Sequence, residues 1–264
     1  MLGGSRLRNR KLITALLLIG AVALLSGCTQ INEPITSEST GFWNSYFVYP
    51  LSWVIINFAE MFSGNFGLAI IVVTIIIRLV LLPLNIKQLK STQGMQAIQP
   101  ELKELQKKYS SKYQQTQQKL QQETMALFQK HGVNPLAGCF PILIQMPILI
   151  AMYHAIMRTD EIKQSGDFLW FTLSSPDYVL PLIAGAATFL QQKLMMAGNQ
   201  TAAENPQMKA MLYMMPIMIT VIGFFLPSAL ALYWVVGNIF MVAQTLLIRK
   251  PMKNKEASTG GDKK

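Results

Sequence analysis

The chain has 264 residues, of which 51% are hydrophobic and only 14% charged, with a mean hydropathy of +0.32. That balance is the one of a polytopic membrane protein rather than of a soluble domain. A net charge of +10 and a pI near 9.6 would suit a nucleic-acid binder, but the basic residues fall where membrane orientation puts them.

Residues 1–27 have the order of a secretory signal. Arg6, Arg8, Arg10 and Lys11 form a basic start, residues 12–25 an apolar stretch too short to span well, and Leu25-Ser26-Gly27-Cys28 follows. That ending resembles the bacterial lipoprotein box, which implies cleavage after Gly27 and a diacylated Cys28. Loss of the four basic residues leaves a mature net charge of +6. The other cysteine, Cys139, sits in so different a context that a disulfide or shared metal site is not expected.

After a polar spacer (29–40), Phe42, Trp43, Tyr46, Phe47, Tyr49 and Trp53 crowd together. Their near-helical spacing fits either an external interfacial helix at the headgroup level or packing on the ends of the spans, with Pro50 bending or ending it. Residues 64–84 then form the first expected span, since about 20 apolar residues cross a bilayer. Arg78 lies inside this run. A charge at depth costs from about 2.5 to more than 10 kcal/mol. It either faces a protein interior or wet cavity, as a functional site does, or snorkels to the interface beyond Asn85 and Lys87.

Residues 86–133 are polar, with eight lysines against three glutamates, a net +5 that marks them as cytoplasmic. Met95, Ile98, Leu102, Leu105 and Tyr109 recur at coiled-coil spacing, Ser110-Ser111 offers a turn, and Leu120, Thr124 and Leu127 line the second arm of a helical hairpin. Asn134 and Pro135 cap the second span, 136–156, which carries Pro141, Gln145 and Pro147. The loop 157–177 has a net charge of −2 and is expected outside, with Trp170 and Phe171 as interface anchors. The third span is 178–194, ending in Gln191-Gln192-Lys193. Residues 211–248 turn at Pro227-Ser228 to give spans four and five, the latter with Trp234, Asn238 and Gln244. The tail 249–264, at +4, is cytoplasmic, so the chain starts outside and ends inside. No phosphate loop, histidine pair or nucleophile elbow marks an enzyme, and His131 and His154 read as structural.

Ile77-Arg78-Leu79 with Pro83-Leu84, the hairpin, Val133-Asn134-Pro135-Leu136-Ala137-Gly138-Cys139-Phe140-Pro141 running on to Gln145-Met146-Pro147, Phe225-Leu226-Pro227-Ser228-Ala229 and Leu232-Tyr233-Trp234 together resemble the YidC/Oxa family of membrane protein insertases. The lipoprotein signal fits its Gram-positive members. The resemblance implies an all-α fold, with five transmembrane helices around a hydrophilic groove closed to the outside, plus the cytoplasmic hairpin. It implies Arg78 as the groove arginine, with Gln145, Gln191 or Gln192, and Trp234 lining the same cavity. Adjacent residues face about 100° apart, and spacing does not choose between the two glutamines. The implied function is insertion of nascent membrane proteins in the bacterial cell membrane, with no cofactor and no chemical step. Expected partners are the substrates, lipid, the Sec translocon and, through the hairpin and basic tail, the ribosome, with the protein acting as a monomer. An anion transporter or channel, or an assembly scaffold, would also place an arginine in a span. The absence of an internal repeat and the scarcity of polar residues speak against transport. The methionines from Met195 to Met218 fit either packing or adaptable contact with apolar segments.

Overall fold

The computed structural model describes residues 31, 33–110, 113–134, 140–197 and 206–259. The signal segment 1–27, the lipidation residue Cys28, Ser111 of the hairpin turn, residues 135–139 with Cys139, and 260–264 of the tail lie outside the described residues. The fold is helical apart from one two-stranded ribbon among those residues, and it divides into two compact units.

The first unit takes the chain up to Val73 together with Met146–Ser175. The aromatic stretch is helical, and it splits between the two environments the sequence left open. Trp43, Val48 and Ile55 are buried, whereas Phe42, Tyr46 and Trp53 are 67%, 70% and 54% exposed. Pro50 does not end the helix. A π-turn, Asn44–Val48, precedes it, with the Tyr49 N–H donated to the Asn44 carbonyl, and α1 (Tyr49–Met61) continues with the proline in its first turn. Ser63 and Gly64, both at positive φ, turn the chain into α2 (Phe66–Val80), where Asn65 Oδ1 accepts the Leu68 N–H at 3.0 Å as a cap.

This unit closes around Arg158, the last residue of α6 (Phe140–Arg158). It is 1% exposed, donates from Nε to the Glu33 carbonyl at 2.8 Å and from Nη1 to Asn44 Oδ1 at 2.7 Å, and accepts the Ile35 N–H on its own carbonyl. Beside it, the hydroxyls of Ser52 and Thr159 pair at 2.6 Å. Arg158 therefore is a buried tie between chain segments and not one of the external loop's surface charges. Beyond the short α7 (Asp160–Gln164), β1 (Asp167–Phe168) and β2 (Phe171–Thr172) form a hairpin with Leu169 and Trp170 at its tip. Trp170, in the turn, is exposed, whereas Phe171, the first residue of β2, is buried. The ring of Phe168 occupies the space a Cβ at Gly67 would need.

The second unit takes Thr74–Gln145 and Pro176–Lys264. Its centre is α8 (Leu180–Met196), which packs against both α9 (Pro206–Gly223) and α10 (Ser228–Thr259). Asp177 caps α8 by accepting the Val179 and Leu180 N–H groups, and Pro181 fits its first turn. A Cβ at Gly185 would meet the Thr220 hydroxyl, and one at Gly223 would stand 2.9 Å from Pro181, so small residues bring α8 and α9 together.

The first expected span is not a single helix. α2 stops at Val80, and α3 (Leu82–Ala97) departs at 60° because Pro83, in its first turn, cannot continue the preceding ladder. The first hairpin arm breaks likewise at Ile98, where Pro100 opens α4 (Gln99–Lys108). α4 pairs with α5 (Gln114–Lys130), burying Leu127 and leaving Gln117, Gln118, Gln121 and Gln122 exposed. Exposed ion pairs edge the pairing: Lys108–Glu123 and Lys130–Glu101, each at 3.7 Å, and His131–Glu101 at 3.0 Å. His131 thus has an acidic partner. Tyr109 donates to Glu123, and Tyr109 first and Glu123 second hold the Lys108 ammonium above its ordinary pKa. Among the described residues, only Ser228–Ile248 is by itself long and apolar enough to cross a membrane; α2 with α3 passes as one bent pair, and Leu143–Arg158 and Lys209–Gly223 are shorter apolar helices.

Candidate functional site

Arg78 falls in the last turn of α2, two residues before the helix ends. A cation there meets the negative end of the helix dipole, which offsets part of its cost at depth. The side chain is half-buried and lies against α10, with Cζ 5.9 Å from the centre of the Tyr233 ring, within cation–π reach. Its Nε is buried without a hydrogen-bond partner, and among the described residues no carboxylate pairs with the guanidinium.

The helix face that meets Arg78 carries Tyr233, Gly237 and Met241, spaced by one turn each. Tyr233 is 1% exposed, and its hydroxyl accepts the Gln145 Nε2–H at 2.7 Å. Further along the same region Asn85 Nδ2 approaches Met241 Sδ at 3.9 Å. A second polar contact joins α10 to α8: Asn238 Nδ2 donates to Thr188 Oγ1 at 2.8 Å, and that hydroxyl donates to the Ala184 carbonyl. One turn on from Thr188, Gln192 is buried, donates to Met215 Sδ at 2.8 Å, and keeps its Oε1 without a partner. Gln244 Oε1 on α10 is likewise buried and unpartnered.

Of the residues expected at the site, Arg78 and Gln145 meet through Tyr233. Gln192 turns inward, whereas Gln191 is half-buried and donates to Met195 Sδ of its own helix at 3.0 Å. Trp234 is half-buried and lies about 100° round α10 from Tyr233. The residue of Leu232-Tyr233-Trp234 that faces Arg78 is Tyr233. Thr188 and Gly237 carried no sequence signal of their own; only their four-residue spacing from Gln192 and Tyr233 would have found them. Among the described residues no three His, Cys, Asp or Glu side chains gather as a metal site would require. The arrangement is one fixed positive charge on a face of aromatic and amide groups, suited to reversible attraction of an anion rather than to bond making.

The sequence profile of the 60Kd inner membrane protein family matches residues 58–256 of the chain. The chain belongs to that family. It is 65% identical over 243 residues to the membrane protein insertase YidC of Oceanobacillus iheyensis, covering 90% of this chain and 96% of that one. It is 60% identical over 262 residues to the membrane protein insertase MisCA of Bacillus subtilis, covering 98% and 99%. Its fold matches the crystal structure of an active YidC insertase, resolved with its first transmembrane domain, at a TM-score of 0.60 and 27% identity. That match covers 78% of this chain and 47% of the other, so the chain spans under half the length of that structure. The family places the mostly helical fold in a membrane.

Proposed function

We infer that the chain is a membrane protein insertase in which Arg78 draws acidic tails of nascent membrane proteins into a polar groove. The observation that carries this reading is the half-buried guanidinium with no carboxylate of its own among the described residues, set against Tyr233 and Gly237, with Gln145 bonded to the Tyr233 hydroxyl. Relatives at 60–65% identity over nearly their whole length are named membrane protein insertases, which supports it. A wet groove lowers the cost of moving a polar tail part-way through the bilayer. A water-accessible ion pair of modest strength lets the tail leave again. With the outside positive, each acidic charge moved outward gains about 2.3 kcal/mol per 100 mV. The apolar part of the substrate then slides into lipid. No covalent step is involved, and the scheme needs no cofactor.

In this reading α2, α6, α8, α9 and α10 are the five spans, the paired α4 and α5 are cytoplasmic, and the β-hairpin is outside. The loop charges support that orientation. The mature chain begins at a lipidated Cys28. Intact-mass measurement on protein purified from its membrane is expected to show residues 1–27 missing and a diacylglyceryl mass added; an unmodified, full-length mass overturns the lipid anchor. The nascent substrate is the expected partner, with the Sec translocon and ribosome as further ones. The deciding experiment is insertion of paired substrates, with and without acidic residues in the outer tail, into vesicles containing the purified protein or its Arg78→Ala variant. Selective loss of the acidic-tailed substrate is expected. Equal loss of both, or ion flux through the protein without any substrate, defeats the reading.

A further inference from the structure

We propose that Gly237 and Tyr233 are positioning residues for Arg78: they form a notch in α10 that sets where the guanidinium points, and through it the preference for acidic tails. This rests on the reading of Arg78 as the charge that attracts substrate. A Cβ built on Gly237 would collide with Arg78 Nη2 and stand 3.1 Å from both Cζ and Nε. Gly237 is buried in mid-helix, has no positive φ, and weakens the helix relative to alanine, so the space it leaves is its only evident use. One turn earlier Tyr233 forms the wall of the notch, its ring 5.9 Å from Cζ. That ring cannot swing away freely, because its hydroxyl is held by Gln145 at 2.7 Å.

The consequence for the guanidinium is directional. Nε is buried without a partner, and neither terminal nitrogen is buried in that way. An arginine seated this way presents its planar end, which a carboxylate can meet with two parallel hydrogen bonds. Alanine at 237 would push that end out of the notch while improving helix propensity, so its effect on insertion is not a loss of helix.

The test uses four full-length proteins in vesicles (wild type, Gly237→Ala, Arg78→Lys and the double variant) and the paired substrates with and without tail acids. For Gly237→Ala the ratio of acidic-tailed to neutral-tailed insertion is expected to fall about tenfold, as when one charge-assisted hydrogen bond is lost. In the double variant the ratio is expected to recover relative to Gly237→Ala, because lysine lacks the Nη2 atom that the new methyl group meets. Should Gly237→Ala fail to accumulate in membranes, Tyr233→Leu takes its place, with the same selective fall expected from loss of the wall. A ratio equal to wild type, an equal loss on both substrates, or a double variant no better than Gly237→Ala each overturns the proposal. Arg78→Ala, run alongside, separates the two levels: if it also strikes both substrates equally, the reading of Arg78 fails as well, whereas selective loss there with a silent Gly237→Ala sinks the notch alone.

Discussion

Each unit of this protein holds an arginine in the last turn of an apolar helix, and the two are treated in opposite ways. Arg158 is almost fully buried, and its guanidinium is spent on the Glu33 carbonyl and the Asn44 side chain. Arg78 is half-buried, meets an aromatic face and a glycine, and keeps terminal nitrogens free of any carboxylate among the described residues. A buried charge must be fully hydrogen-bonded to be tolerated. A charge meant to bind and release must not be. The first arginine is therefore expected to matter for folding and the second for function.

The largest expected effect tests the folding half of that contrast. Arg158→Ala removes the donor to the Glu33 carbonyl and to the buried Asn44 side chain and opens a cavity, an expected loss of about 2–5 kcal/mol. Set against a total stability of about 5–15 kcal/mol, that is enough to deplete the folded protein. Arg158→Lys should recover little, since one ammonium cannot reproduce the fork that serves Glu33 and Asn44 at once. Thermal unfolding in detergent measures both; a variant as stable as wild type breaks the comparison. Arg78→Ala, by contrast, is expected to leave the melting temperature unchanged within about 2 °C, while insertion of acidic-tailed substrates falls about tenfold. Arg78→Lys should retain most of it, as the positive charge survives. Lysine failing as badly as alanine would mean that Arg78, too, is a structural clamp.

These two arginines also mark what could be read in the chain. The apolar run around Arg78 made it conspicuous, because a charge at depth is costly and rare. Arg158 sat among Asp160, Glu161 and Lys163 and counted as one more loop charge; its partners Glu33 and Asn44 are more than a hundred residues away, beyond the reach of local periodicity. The same division holds elsewhere. Helical class and the pairing of α4 with α5 followed from composition and spacing. The 60° break before Pro83, the π-turn ahead of Pro50 and the burial of Phe171 depend on how a proline or a strand residue is accommodated by its surroundings. That Tyr233 meets Arg78 was not legible, because motif membership does not say which of two neighbours faces a given helix.

A smaller effect sharpens the contrast inside the second unit. Gln192 points into the helix packing with an unpartnered Oε1, and Gln191 does not. Gln192→Leu removes a buried polar atom that nothing satisfies, so stability is expected to hold or rise by about 1 kcal/mol. If that oxygen belongs to the groove, insertion should nonetheless fall several-fold, and Gln191→Leu should be silent in both assays. A stability loss with Gln192→Leu would make the glutamine another Arg158, a packing tie.

The smallest expected effect concerns α3, α4 and α5, where the sequence suggests one mobile hairpin from 86 to 133. The break at Ile98 divides it. Before the break, Leu89, Gln96 and Ile98 are buried, and Gln96 Nε2 donates at 3.3 Å to the Met195 carbonyl, one of the last-turn carbonyls of α8 that its own helix cannot satisfy. After it, α4 and α5 are held by a narrow apolar seam and exposed ion pairs, which contribute little. Amide exchange is therefore expected to be slow in α3 and fast in α4 and α5, rather than uniform along the segment. Gln96→Ala removes one neutral hydrogen bond, about 1 kcal/mol, so exchange in α3 should quicken about fivefold while α4 and α5 stay as they were. Equal acceleration of all three helices would show that they open as one body, with Gln96 as its latch. Protection of α4 and α5 equal to that of α8 would show instead that the whole hairpin is docked.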